Sequence, residues 1–284
     1  MTFTLGQTAE AAEESFDLVF INHALAKLDE IIANYKSCVT AFSGGIDSTF
    51  LAARVNHVLG YANALAITAN SPSLARSELE ECALLVQELN LAWIAVPTSE
   101  LENPLYVQNN YDRCFHCKSE LMKAILPIAE MRHATVLLAV NLDDLNEYRP
   151  GQTAAKQAGA QFPLAEAGFT KQMVRQAAKL MGISIYDKPA MPCLSSRIPN
   201  GTPVTINTLE QIAQAESELR KLGIKNLRVR HHSDLARVEV AITDIALILD
   251  QREQIIECVK KAGYKYVTLD LEGFRSGSTA SGPK

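Results

Sequence analysis

The chain has 284 residues, 48% hydrophobic and 21% charged, with 32 acidic against 27 basic side chains and a net charge of −5. That is the balance of a globular protein with enough chain for one large core or two modest ones. It excludes a protein that grips long nucleic acid, which needs a basic stripe because counterion release drives such binding. Apolar runs such as 136–140 are strand-sized and too short to cross a bilayer, so no membrane partner is expected. Residues 1–14 are acidic and lack a basic flank followed by an apolar stretch, so no secretory signal is read and a cytoplasmic location is expected. One local basic cluster, Lys221, Lys225, Arg228, Arg230, His231 and His232, is large enough for a single phosphate group but not for a duplex.

Taken in chain order, residues 38–42 read as a buried strand, 49–59 as a helix stopped by Gly60, and 64–69 as a second strand. Ser77 with Glu80 three residues later has the capping-box pattern for a helix running through Leu89. Residues 92–96 and 135–140 are the third and fourth strands, and 170–181 is a helix stopped by Gly182. Repeated βα units of this kind predict a parallel sheet with helices on both faces. Beyond Pro189, Pro192, Pro199 and Pro203 the rhythm changes. A helix over 208–222, two strands over 226–230 and 236–242 around a turn at 232–234, a long helix over 244–262 and a strand over 265–271 follow. The expected fold is therefore α/β: a parallel-sheet domain over 1–190, then a smaller α+β domain over 191–284, with the boundary near 190–203. The tail from Ser276, rich in Gly and Ser, is expected to be mobile.

The first strand ends in Ser43-Gly44-Gly45-Ile46-Asp47-Ser48-Thr49 and a helix follows at once. Glycines let successive N–H groups point into one concavity, and the helix N-terminus adds positive potential, which together suit phosphate. The hydroxyls of Ser43, Ser48 and Thr49 would add donors. Asp47 would repel phosphate unless a cation lay between them, so it reads as a Mg²⁺ ligand. The run lacks the Gly-Lys-Ser/Thr of the kinase and GTPase P-loop. It resembles instead the SGGxDS loop of the PP-loop ATP pyrophosphatases, of adenine nucleotide alpha hydrolase-like fold. Known members adenylate a carbonyl or carboxylate oxygen and release pyrophosphate.

Further stretches narrow the resemblance. They are Asn141-Leu142-Asp143-Asp144-Leu145-Asn146-Glu147-Tyr148-Arg149-Pro150-Gly151, the run from Lys188 through Cys193-Leu194-Ser195-Ser196-Arg197 to Pro199, Arg228-Val229-Arg230-His231-His232, and Ala236-Arg237-Val238-Glu239-Val240. With the segment from Asp270 to Arg275 they resemble the LarE family, the ATP-dependent sulfur transferases that build the nickel-pincer cofactor of lactate racemase. The resemblance implies a pyridinium-3,5-dicarboxylate mononucleotide substrate, an acyl-adenylate, its capture by sulfur as a thiocarboxylate, and assembly into homohexamers. By motif it implies roles around substrate and sulfur for Lys118, Ser196, Arg197, Glu216, Arg228, Arg230 and Glu239. The residues' own chemistry agrees. Cys193 is a candidate sulfur nucleophile whose thiol nearby Arg197 would acidify. Arg228 and Arg230 alternate along a strand, so both guanidinium groups face one side and could fork a phosphate.

Of the six cysteines, Cys38, Cys82 and Cys258 sit singly among apolar neighbours and read as small core residues, and a reducing cytoplasm argues against disulfides. Cys114 and Cys117, in Arg113-Cys114-Phe115-His116-Cys117-Lys118, form a Cys-x-x-Cys pair absent from family members that give up their own cysteine sulfur. LarE-type proteins with three cysteines in this pattern resemble cluster-dependent thiolases. That resemblance implies a 4Fe-4S cluster on Cys114, Cys117 and Cys193, with one iron left open for sulfide. Sacrificial sulfur donation by Cys193, a zinc site and an inert pair remain alternatives, as do three other functions: an ammonia-dependent amide synthetase, a tRNA thiolase and a nucleotide-sensing module.

Overall fold

The computed structural model describes residues 18–146, 149–189 and 192–274. Expectations for the 1–14 segment, for Glu147, Tyr148, Ala190, Met191 and Arg275 within the motifs, and for the tail from Ser276 lie outside the described residues. The first part of the chain runs α1 (Leu18–Tyr35), β1 (Cys38–Ala41), α2 (Ile46–Leu59), β2 (Ala64–Asn70), α3 (Arg76–Glu88), β3 (Ala92–Pro97) and α4 (Pro104–Val107). It continues through α5 (Arg113–Met131), β4 (Thr135–Leu137), α6 (Leu142–Leu145), α7 (Pro150–Gln157), α8 (Pro163–Ala167) and α9 (Lys171–Leu180). The remainder runs α10 (Ile206–Lys221), β5 (Leu227–His232), β6 (Leu235–Val240), α11 (Ile245–Asp250), α12 (Arg252–Lys261) and β7 (Tyr266–Leu269). No helix among the described residues is long and apolar enough to cross a membrane.

The first sheet has the order β3-β2-β1-β4, all parallel. Successive strand residues face opposite layers, so Cys38 packs with α1, α2, α8 and α9, while its neighbour Val39 packs with α5 and α7. β1 is central, which places the phosphate loop at the middle of the carboxyl edge, where open α/β sheets bind ligands. The second sheet, β5-β6-β7, is mixed: β5 and β6 form an antiparallel hairpin, and β7 returns parallel to β6. It packs against α10 and α12 around Val229, Val238 and Leu219. The fold is the expected one, a parallel-sheet PP-loop architecture with a smaller mixed sheet beside it.

Several expected elements differ. The helix after β2 starts at Arg76, and its cap residue Ala75 supplies no side-chain acceptor. Glu80 pairs with Arg76 at 3.2 Å instead of reaching back, so the Ser77–Glu80 capping box does not form. The fourth strand stops at Leu137, because the next amide, Leu138 N–H, donates to Gln161 O at 3.0 Å in a segment that is not a strand. The single long helix over 244–262 is two, broken at Gln251. Cys258 is half-buried rather than a core residue, whereas Cys38 and Cys82 are fully buried. Helices α1 and α5 were not expected. The second carries Pro127 in its interior and opens on Arg113 beside the Cys-x-x-Cys pair.

Segment 192–204 joins the two sheets through an apolar cluster of Ala75, Tyr106, Leu194, Ile198, Val204 and Ile212. Asn109, fully buried and in the left-handed region at φ 55°, fastens it. Its Nδ2 donates to Pro199 O at 2.8 Å and Thr202 O at 2.9 Å, and its Oδ1 accepts from Arg113 Nη1 at 2.8 Å. Asparagine tolerates this backbone where most residues do not. Asn109→Ala is expected to leave these carbonyls unpaired and to lower unfolding stability in urea by about 2–4 kcal/mol, more than typical surface substitutions.

Candidate active site

The phosphate loop folds by its own hydroxyls. Ser43 N–H donates to Ser48 Oγ at 3.1 Å, and Ser48 O–H donates to Gly45 O at 3.0 Å. Gly44 has φ +69°, and a Cβ there would lie 2.7 Å from Cys82 Sγ, so both its backbone and its neighbour exclude a side chain. Ser43 stays exposed, as a phosphate donor requires, whereas Thr49 is fully buried and its hydroxyl has no partner among the described residues.

Asp47 lies one helical step into α2 and its Oδ1 accepts from Asn141 Nδ2 at 3.1 Å. Burial raises the Asp47 carboxyl, the Asn141 hydrogen bond lowers it, and the negative charge of Asp144 raises it again. Asp144 is held by Arg149 and Lys171, each at 3.1 Å, and forms with Asn141 the cap of α6. One carboxylate beside substrate phosphates is how Mg²⁺ is commonly held, so Asp47 fits that donor set. A cation there would offset the burial that now disfavours its charge.

Cys114 and Cys193 lie within electrostatic reach of Arg113, and both also act on Cys117. Arg113 Nη1 donates to Ser195 O at 2.7 Å, and Nη2 lies 3.9 Å from Cys114 Sγ. Burial works against the charge on Arg113, and the charges of Cys193 and Cys114 outweigh it. Burial pushes the Cys117 thiol up to about 12, with Cys193 adding and Lys118 opposing. Lys118, half-buried on α5, is a second cation near this group beside Arg113. Gly151, at the start of α7, is where that helix crosses α5: a Cβ there would meet Cys114 O at 3.0 Å. Tyr106 is fully buried, with its hydroxyl 2.6 Å from Ser195 Oγ. Three soft thiol donors are the chemistry that suits an iron–sulfur group, although the buried carboxylate of Glu100 also acts on Cys117. Among the described residues no three His, Cys, Asp or Glu side chains gather tightly enough for one metal ion.

The arginines expected around the substrate divide into anchors and one available group. Arg197 is 1% exposed and forms a two-pronged pair with the fully buried Glu216, at 2.8 and 3.1 Å. Its remaining Nη1 donates to the carbonyls of Pro192 and Cys193 and to Ser196 Oγ. Glu216 also accepts from Arg220 at 2.8 Å and from Val229 N–H at 3.0 Å. Arg197 is therefore placed to shape the turn that carries Cys193 and half-buried Ser196. Arg230 pairs with buried Glu239 at 2.9 Å, and its Nη1 donates to Ser196 O at 2.8 Å. Arg228, 4% exposed, has no carboxylate partner among the described residues; its guanidinium stacks on the Phe274 ring, 4.3 Å from the centroid. Burial lowers it to about 10, with Arg230 and Arg197 adding to that. It lines a cavity with Pro189, Pro192, Arg197, Lys225 and Phe274, and Pro189 also borders the phosphate-loop cavity.

These features find their counterpart in known proteins. The NAD synthase family profile matches residues 20–129. An uncharacterised protein of Synechocystis sp. is 42% identical over 89% of this chain and 95% of its own length. The pyridinium-3,5-bisthiocarboxylic acid mononucleotide synthase of Lactiplantibacillus plantarum is 35% identical over 89% of this chain and 92% of its own. The chain belongs to the LarE family. It is an ATP-dependent sulfurtransferase. An uncharacterised protein of Methanocaldococcus jannaschii is 28% identical over 85% of the chain and 92% of its own length.

Sequence reasoning passed over Arg113, Asn109, Asn141 and Glu78 as site residues. The signal available for Asn141 and Glu78 was position: both closely follow parallel strands at the sheet's carboxyl edge. Arg113 and Asn109 carried no such signal, since their partners lie more than 80 residues away. The Arg197–Glu216 pair yields a direct test. Glu216→Gln leaves a buried guanidinium uncompensated, and is expected to cost about 3–5 kcal/mol in urea unfolding and to reduce sulfur transfer even where the protein remains folded.

Proposed function

We propose that the protein adenylates a carboxylate of pyridinium-3,5-dicarboxylate mononucleotide and replaces the activated oxygen with sulfur, a step in nickel-pincer cofactor biosynthesis. The observation that carries this reading is the junction at Pro189. One side of it holds the ATP loop, and the other holds Arg228, a buried guanidinium with no carboxylate partner among the described residues, next to the Cys193 turn. A phosphorylated nucleotide whose phosphate reaches Arg228 would present its ring carboxylates between the two. The name of the Lactiplantibacillus relative supports the same substrate.

The chemistry follows from what each group can do. A carboxylate is a poor electrophile because its oxygen is a bad leaving group. Attack of that oxygen on the α-phosphorus of ATP breaks the bond to pyrophosphate and makes AMP the leaving group. Ser43 and the loop amides would hold the phosphates, with Mg²⁺ on Asp47 screening their charge. Sulfur then forms its bond to the acyl carbon as the bond to AMP breaks, giving a thiocarboxylate. A 4Fe-4S cluster held by Cys114, Cys117 and Cys193 would supply the sulfur atom. Lys118 opposes the burial that raises Cys117, and iron would offset the same cost by binding its thiolate. Arg197 and Ser196 keep the Cys193 turn in register with them, Arg230 and Glu239 support that turn from β5 and β6, and Glu216 joins both.

The test is pyrophosphate release from ATP by the anaerobically purified protein. Release is expected to require the pyridinium dicarboxylate mononucleotide, and Arg228→Ala is expected to raise KM for it at least tenfold with little change in fold, as the loss of a charged contact to phosphate would. Release with nicotinic-type mononucleotides and ammonia, but not with the dicarboxylate, would instead identify an amide synthetase.

A further inference from the structure

The cavity at the phosphate loop has a second wall. Ser43, Gly44 and Gly45 form one side, and Glu78, Lys188 and Pro189 form the other. Glu78 stands in the first turn of α3 and is only 9% exposed. Its main chain is used in the helix, where its N–H donates to Ala75 O at 2.9 Å, yet its carboxyl has no hydrogen bond or ion pair among the described residues. The cations within electrostatic reach have other partners. Lys188 Nζ donates to Glu81 at 2.5 Å and lies 3.5 Å from Gly44 O. Arg197 and Arg220 both bind Glu216.

A buried carboxyl with no cation of its own, on the wall of an anion site, has two possible states with opposite effects. Ionised, it would repel the phosphates the loop is built to hold. Neutral, it is a hydrogen-bond donor. We propose that Glu78 is an ATP-binding residue that acts as a neutral carboxylic acid, donating its O–H to a phosphate oxygen in the cavity of Ser43, Gly44 and Gly45. The inference rests on that loop being the ATP site. It adds a proton to the binding step: ATP binds with uptake of a proton at Glu78.

The electrostatics of the folded chain point the same way. Burial raises Glu78 to about 7, with Arg197 opposing, Glu216 adding, and Lys188 and Arg220 opposing. Around it lie also Glu81, paired with Lys188, and the Cys82 thiol, which burial pushes up to about 11 and which therefore stays neutral in this range. At neutral pH the free protein therefore holds Glu78 part-ionised, and a bound phosphate draws it to the protonated form. ATP affinity should be full below this range and fall as pH rises through it.

The experiment is calorimetric titration of the full-length protein with Mg-ATP at about pH 7.5, in two buffers of unlike ionisation enthalpy. The wild type is expected to take up about half a proton or more beyond what Glu78→Gln takes up. The near-isosteric amide should retain ATP binding, and should no longer weaken by up to about tenfold per pH unit as the wild type does above pH 7. Glu78→Ala, which lacks a donor, is expected to bind about tenfold more weakly at acidic and neutral pH. Matching circular dichroism and melting curves would show that the variants are folded. Equal proton uptake by wild type and Glu78→Gln overturns the proposal. So does loss of binding in Glu78→Gln with retention in Glu78→Asp, because that pattern requires a negative charge. If the wild type binds no ATP, the reading of the loop falls as well; if it binds ATP without Glu78-linked uptake, only the role of Glu78 falls.

Discussion

The arrangement of the whole site depends on one buried ion pair, Arg197 with Glu216. Taking both charges out of water is expensive, and the cost is offset only because nearly every donor and acceptor is satisfied. Arg197 reaches back to the carbonyls of Pro192 and Cys193, and Glu216 reaches to the Val229 amide on β5. A pair of well-packed apolar side chains could stabilise the same space as well. It could not fix the carbonyls of the Cys193 turn against the strand that carries Arg228 and Arg230. The pair thus sets the register between the Cys193 turn and β5, and its role is geometric more than energetic.

From that anchor the rest follows by short links. Arg230 continues the network to Ser196 O, and Arg113 ties the carbonyl of Ser195 to the start of α5, where Cys114 and Cys117 lie. Tyr106 and Asn109 hold the connecting segment against the first sheet from beneath. The glycine loop needs none of this, since Ser43, Gly45 and Ser48 shape it locally and Cys82 packs under Gly44. The glycine loop and the cysteine-bearing region are therefore built by different means, one local and one assembled from distant parts of the chain. Pro189 is where the two cavities share a wall.

That contrast explains what could be read from sequence. The strand–loop–helix unit at Ser43 was legible because its glycines and hydroxyls act within a few residues of one another. The hairpin of β5 and β6 was legible for the same reason, through its alternation and tight turn. Helix α5 was harder to see, because Pro127 and the Cys-x-x-Cys run mask its apolar face, and its burial comes from β4 and α7. Arg197, Arg230 and Glu239 were recognised as important from motif resemblance, but the letters could not tell a group that binds substrate from one that braces the turn. That distinction lies in partners far apart in sequence. Glu78 went unremarked because its lack of a partner is visible only once the cavity exists.

We propose that three cysteines from two parts of the chain serve a single sulfur site in which Cys193 is retained. Intact-protein mass spectrometry after anaerobic turnover, with iron measured on the same sample, separates this from its alternatives. Bound iron, a thiolated product and a protein of unchanged mass, with Cys193 still open to alkylation once the iron is removed, are the expected result. A protein without iron that has lost one sulfur, with dehydroalanine at position 193, would contradict it.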